Sequence, residues 1–174
     1  MKCSKINSGF TLIELIIYVA LISSFLTGAV IFAWGVLQTQ GKARAQQEVI
    51  YASRMATRRI MYEIRNASSI NSVGAQSISL ANADTAKNPT VIDVTSGRVR
   101  IGYGNTGSCP TSSPCFLTPS DLVVQSLVFA NMSDAGNKSA NIKFELVLKS
   151  APSDIPDWFY KQYATGSAEV RSKN

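Results

Sequence analysis

Histidine is absent from this chain of 174 residues. Its absence excludes histidine general bases, Ser-His-Asp and Cys-His nucleophile arrangements, and most zinc or iron sites. No glycine-rich loop has the spacing of a phosphate-binding motif. Proline does not occur before Pro89, so nothing in the first half of the chain forces a helix to break. The sequence therefore predicts neither an enzyme nor a cofactor or metal site, and it permits one long amino-terminal helix.

Hydrophobic residues are concentrated near the amino terminus, although they make up only 45% of the whole chain. The 23 residues of Leu15–Leu37 carry no charge. As a helix this segment is roughly 35 Å long, enough to cross a hydrocarbon core of about 30 Å. A secretory signal has a shorter apolar core that ends at a small-residue cleavage site, and no such site closes this one. We therefore predict a transmembrane helix followed by one modest domain.

The short segment before this helix carries Lys2 and Lys5 and no acidic residue. By the positive-inside rule it stays in the cytoplasm, and the bulk of the chain faces outward. Glu14 places a carboxylate within the first turns of the apolar run. A charge at membrane depth costs about 3 kcal/mol at the helix centre and less near the ends. Glu14 is therefore either a snorkelling residue or a partnered, functional one.

The string GFTLIEL at residues 9–15 resembles the processing site of type IV pilin precursors, a family that includes type II secretion pseudopilins. The resemblance covers the basic leader, the Gly-Phe junction, the glutamate at the fifth mature position and the long apolar helix. It implies cleavage after Gly9 by a prepilin peptidase on the cytoplasmic face of the inner membrane. N-methylation of the new amino group of Phe10 would follow. It also implies that Glu14 pairs with the amino terminus of a neighbouring pilin-like subunit.

Beyond the membrane, apolar residues continue at helical spacing through Val49, Ala52, Ala56, Ile60 and Ile64, so this half of the helix must pack on a sheet. We predict a helix from about Phe10 to about Ser68. The expected organisation is a leader at residues 1–9, a transmembrane and assembly helix at 10–37, an amphipathic helix at 38–69 and a β-rich head at 70–174.

The head alternates apolar and polar residues and is punctuated by turns. Its strands are predicted at Ser77–Leu80, Val91–Thr95, Arg98–Tyr103, Leu122–Ala130, Ile142–Lys149 and Asp157–Val170. The intervening Ser96-Gly97 pair indicates a hairpin. The predicted fold class is α+β, a long amino-terminal helix packed against a carboxy-terminal antiparallel β-sheet, which is also the architecture that the resemblance implies.

Three cysteines are present, and Cys3 lies in the leader that cleavage would remove. The other two, Cys109 and Cys115, would then lie in an outward-facing domain. An even number of cysteines in such a domain indicates a disulfide. A metal bound by the two thiolates is the alternative. It is the weaker one because two thiolates without histidine make a poor site.

Six basic and two acidic residues between Lys42 and Arg65 give this stretch a local net charge of +4. Such a stripe is a solvated helix face, a lipid-proximal face or a polyanion-binding surface. The candidate contacts to a polyanion are Arg54, Arg58, Arg59 and Arg65.

Two functions are compatible with these features: a filament subunit assembled through its helix, or a DNA-uptake module. The residues from Arg58 to Ala67 resemble those of minor pilins and pseudopilins that initiate or cap assembly. Many major pilins carry a kinking proline in the membrane half, and its absence here favours a minor pilin over a major one.

Overall fold

The computed structural model describes residues 11–104, 107–109, 115–133, 140–150 and 159–170. Within these residues, a single long helix is followed by seven strands and one short 3₁₀ turn at Thr85–Lys87. The chain divides into two compact units, residues 1–41 and 42–174, and the helix contributes to both. The elements are α1 (Leu12–Asn66), β1 (Ser69–Val73), β2 (Ile78–Ala81), β3 (Thr90–Thr95), β4 (Arg98–Tyr103), β5 (Leu122–Asn131), β6 (Ala140–Ser150) and β7 (Lys161–Val170).

Helix α1 ends two residues before the predicted terminus at Ser68, and β1 begins almost at once at Ser69. Strand β1 was not expected, because Ser69–Val73 is rich in serine and asparagine and has no clear alternation. It pairs with β2, so this connecting segment is used to extend a sheet.

The core of the second unit lies between one face of α1 and the inner faces of the strands. The buried helix residues follow the predicted stripe, with Ser53 and Glu63 added to it: Val49, Ala52, Ser53, Ala56, Ile60, Glu63 and Ile64. Alternate residues of β6 complete the core from the sheet side, as the period of two requires. The predicted α+β class is therefore confirmed.

The strands form two antiparallel sheets, β1-β2-β3-β4 and β5-β6-β7, where a single sheet was expected. The division has a local cause at the outer edge of β4. The Ile101 N–H donates to the Cys115 carbonyl at 2.9 Å, and the Leu117 N–H donates to the Val99 carbonyl at 2.8 Å. Since the segment that precedes β5 forms backbone hydrogen bonds with this edge, β5 cannot pair along the length of β4.

The predicted hairpin joins β3 to β4 in the expected register, with Thr95 opposite Arg98. Its two turn residues, Ser96 and Gly97, both have positive φ, at 54° and 70°. A two-residue turn of this hand matches the twist of the flanking strands.

Gly166 in β7 lies opposite Phe144 in β6, and the ring of this fully buried phenylalanine covers it. A Cβ atom at Gly166 would lie 2.6 Å from the Phe144 Cζ atom. Replacing Gly166 with alanine is therefore expected to displace the ring and to lower the free energy of unfolding by about 1–3 kcal/mol. Thermal unfolding of the detergent-solubilised chain measures this effect. The matched control is Ser167→Ala at the exposed neighbour, and equal melting of the two variants would contradict the prediction.

Candidate functional site: the amino-terminal helix and the basic face

The first unit presents an apolar helical surface that no described residue covers. The most apolar window of α1 has a mean hydropathy of 2.4 over 18 residues, and none of it is buried. By length and composition the helix can cross a membrane. The hydroxyls of Ser23 and Thr27 donate to the carbonyls of Val19 and Ser23 at 2.7 and 2.8 Å. These polar groups are therefore satisfied within the helix, as an apolar surrounding demands.

Glu14 is the one charged residue of this uncovered segment, and it lies in the first turn of α1. The positive end of the helix dipole favours a carboxylate there. The sequence has no lysine or arginine between Lys5 and Lys42, so α1 brings no cation to it from the following turns. Gly9 and Phe10, the predicted cleavage and methylation sites, lie outside the described residues, as does the leader.

Cys109 and Cys115 are joined by a disulfide, the arrangement that the even cysteine count favoured over a metal. Among the described residues, no group of three or more potential ligands from His, Cys, Asp and Glu lies together. The disulfide links two positions that are six residues apart and lie between β4 and β5.

The four candidate arginines of α1 fall into two classes. Arg54, Arg58 and Arg65 are exposed, and their positions lie within about 40° of one another around the helix. Arg59 is turned toward the sheet, where its guanidinium lies 2.8 Å from a Glu63 carboxylate oxygen. The structure therefore assembles three of the candidates into an accessible basic face and ties the fourth to the interior.

Glu63 is a buried carboxylate, 4% exposed, although the predicted apolar stripe of α1 does not include it. Besides Arg59, the Tyr103 hydroxyl of β4 lies 3.4 Å from the same Glu63 oxygen and accepts a bond from Arg59 at 3.3 Å. The Arg59 guanidinium also lies 5.5 Å from the Tyr62 ring centroid, within cation–π range. This polar cluster joins α1 to β4. In the sequence, the i,i+4 spacing of Arg59 and Glu63 is the feature that could have indicated it.

A second, half-buried pair removes Arg100 from the accessible basic residues. It faces Asp93 across β3 and β4, and its Nε donates to the Asp93 carboxylate at 2.9 Å. The hydrogen bond to Asp93 raises the pKa of Arg100 above its ordinary value. Arg100 therefore stabilises the hairpin as a fixed cation and does not extend the basic face of α1.

Comparison with family models gives a match at residues 4–30 to the prokaryotic N-terminal methylation motif. The matched stretch contains the GFTLIEL string and the start of the uncovered apolar helix. Neither the curated proteins nor the solved structures give a match. The motif, the α+β fold and the long helix together support a type IV pilin-like family, which is structural and membrane-anchored.

Proposed function

We propose that this protein is a structural subunit of a type IV pilus-like filament, a minor pilin that assembles through its amino-terminal helix and is not an enzyme. The observation that carries the proposal is the methylation motif at the start of a helix whose apolar surface is left uncovered by the described part of the chain. Such a surface is stable in lipid or among like helices and unstable in water. A bundle of neighbouring pilin-like helices therefore provides the apolar contacts that stabilise this surface.

Processing by a prepilin peptidase and methylase is the first step of the proposal. Cleavage after Gly9 removes Lys2 and Lys5 and creates a free amino group on Phe10, which is then methylated. The formal side-chain charge falls from +6 to +4, because the net charge of the whole chain is +6 and the leader carries two lysines and no acid. The leader faces the cytoplasm, and the head lies outside the inner membrane. The head then lies on a surface filament or a periplasmic pseudopilus.

Assembly is the second step, and Glu14 has a specific role in it. Both a carboxylate and an ammonium group lose hydration in the membrane, so each is stabilised by contact with the other. The Phe10 amine of a neighbouring subunit provides the cation that the first turns of α1 do not provide to Glu14. This pair would also select the axial register between subunits.

Replacing Gly9 with valine is expected to abolish leader cleavage, because the peptidase must accept a small residue beside the scissile bond and the bulky Phe10 already follows. Intact-mass analysis of membrane fractions measures the outcome as unprocessed chain. The matched control is Gly28→Val in the apolar helix α1, where an added Cβ meets nothing within 4 Å. Recovery of cleaved, methylated Phe10 from the Gly9 variant would sink the assignment of the cleavage site.

Two alternative functions share the same amino-terminal half. A type II secretion pseudopilin differs in the machine that it serves, and secretion assays on a deletion strain distinguish it from a pilus subunit. A DNA-uptake pilin is favoured by one observation, the exposed arginines Arg54, Arg58 and Arg65 on a single face of α1. Binding of duplex DNA that weakens steeply with salt is the behaviour expected of that alternative.

A further inference from the structure

A groove in the second unit runs between the basic face of α1 and strand β7. Arg54 and Arg58 line it together with Gln162 and Ala164 of β7. Further along the helix, Arg65 lies beside a second shallow groove that includes residues 167–169 of β7. The groove therefore has a helical wall that carries positive charge and an opposite wall made by the edge of a sheet.

Strand β7 is an edge strand of its sheet and pairs only with β6 in the described part of the chain. The Ser150 N–H donates to the Tyr160 carbonyl, so the even-numbered residues of β7 direct their backbone groups toward β6. The odd-numbered residues direct theirs outward. The Tyr163 carbonyl accepts a bond from the Gln162 side chain, while no described residue pairs with the outward groups of Thr165 and Ser167.

An open strand edge is a template for the addition of another extended segment. The side chains of an added strand that point inward would meet the helical wall of the groove. Arg54 and Arg58 are four residues apart, about 6 Å along the helix axis. Alternate residues of a strand are separated by about 6.7 Å. Acidic side chains two positions apart can therefore contact both arginines at once.

Neither Arg54 nor Arg58 is held by an acidic residue within the described part of the chain, because the salt bridges there join other residues. Among the described residues, no acid lines the first groove, and Glu169 lines the second groove beside Arg65. The wall that faces Gln162 and Ala164 therefore carries two charges that no acid among the described residues compensates. Charge complementarity favours a negatively charged occupant.

We propose that this groove binds an extended acidic segment of another protein, which adds as a strand to the edge of β7 and places acids at alternate positions against Arg54 and Arg58. A second copy of this chain is disfavoured as the partner. Among its 11 acidic residues, no two lie at positions i and i+2, so it has no segment with this alternating pattern. The proposal concerns the head and is independent of the assembly role of Glu14.

The test is titration calorimetry on the full chain in non-ionic detergent micelles with a nine-residue peptide of alternating Glu and Thr. The double variant Arg54→Glu and Arg58→Glu is expected to bind at least about tenfold more weakly. Lys42→Glu, at an exposed position on a different face of α1, is the charge control and should change affinity less than about threefold.

Strand addition is tested separately from charge. Thr165→Pro removes one outward N–H from β7 without removing a bond to β6, and an edge strand tolerates it. We expect this variant to bind the peptide at least about fivefold more weakly, while Thr165→Val, which keeps the N–H, binds as wild type. Unchanged circular dichroism shows that both variants are folded.

Three results would overturn the proposal. The first is absence of peptide binding. The second is that a peptide of the same composition, with its glutamates grouped at one end, binds as tightly as the alternating peptide, or that Thr165→Pro does not weaken binding. Either result means that the peptide is bound by its charge alone and not by strand addition. The third is tighter binding of duplex DNA through the same arginines, which would assign the face to a nucleic acid. None of these results bears on whether the chain is processed after Gly9.

Discussion

Replacing Arg59 with methionine is expected to lower the free energy of unfolding of the head by about 3–5 kcal/mol. Methionine preserves much of the apolar stem of arginine but removes the guanidinium that lies 2.8 Å from Glu63. The Glu63 carboxylate, only 4% exposed, would then keep the Tyr103 hydroxyl as its remaining polar contact among those described above. A buried charge without its partner costs far more than the pair itself contributes.

Urea unfolding of the detergent-solubilised chain, followed by circular dichroism, measures the loss. The double variant Arg59→Met and Glu63→Leu is the matched control, because it replaces both charges with apolar groups and should recover most of the stability. Tyr103→Phe removes only the hydroxyl and is expected to cost about 1 kcal/mol. If the single and double variants unfold at the same urea concentration, the burial of an unpaired charge is not the cause of the loss.

The Arg59 cluster also illustrates where sequence reasoning reached its limit. Arg59 and Glu63 have the spacing of an ordinary surface pair on a helix, and neither belongs to the predicted stripe of apolar residues. Their third partner, Tyr103, is 40 residues from Glu63 along the chain. Only the packing of β4 against α1 brings it there, and no local pattern encodes that contact.

Local patterns did predict most of the head. The alternation in β6 and the Ser96-Gly97 turn could be predicted because each depends only on residues that are adjacent in the sequence. The division into two sheets was not readable. It depends on residues 115–118, which take up the hydrogen-bonding edge of β4 through backbone groups that carry no sequence signature.

The open edge of β7 likewise depends on how strands that are distant in the sequence pair with one another. Sequence alone indicated a final strand near Val170, but it did not show whether that strand lies inside or at the margin of a sheet. In contrast, the amino-terminal motif could be recognised from the sequence alone, because it is a short contiguous string followed by a long apolar run, and the match at residues 4–30 covers that string.

Replacing Glu14 with glutamine is expected to reduce incorporation into filaments to a small fraction of wild type while leaving processing intact. Glutamine preserves the shape of the side chain and removes its charge. Insertion into the membrane should be unharmed or easier, because an amide costs less to bury than a carboxylate. Cleavage should continue, since the scissile bond lies more than a helical turn before Glu14.

Assembly should fail because the methylated amine of the neighbouring Phe10 then lacks its counter-charge in a medium where an unpaired ion costs several kcal/mol. The measurement compares mature protein in membrane fractions with that in sheared filaments or the isolated machine. The matched control is Gln38→Glu beyond the uncharged segment, which changes the charge by one unit in the opposite direction at the other end of the apolar helix. Incorporation of the Glu14→Gln variant at the wild-type level would show that Glu14 only snorkels to the membrane surface and that subunit packing relies on the apolar helix alone.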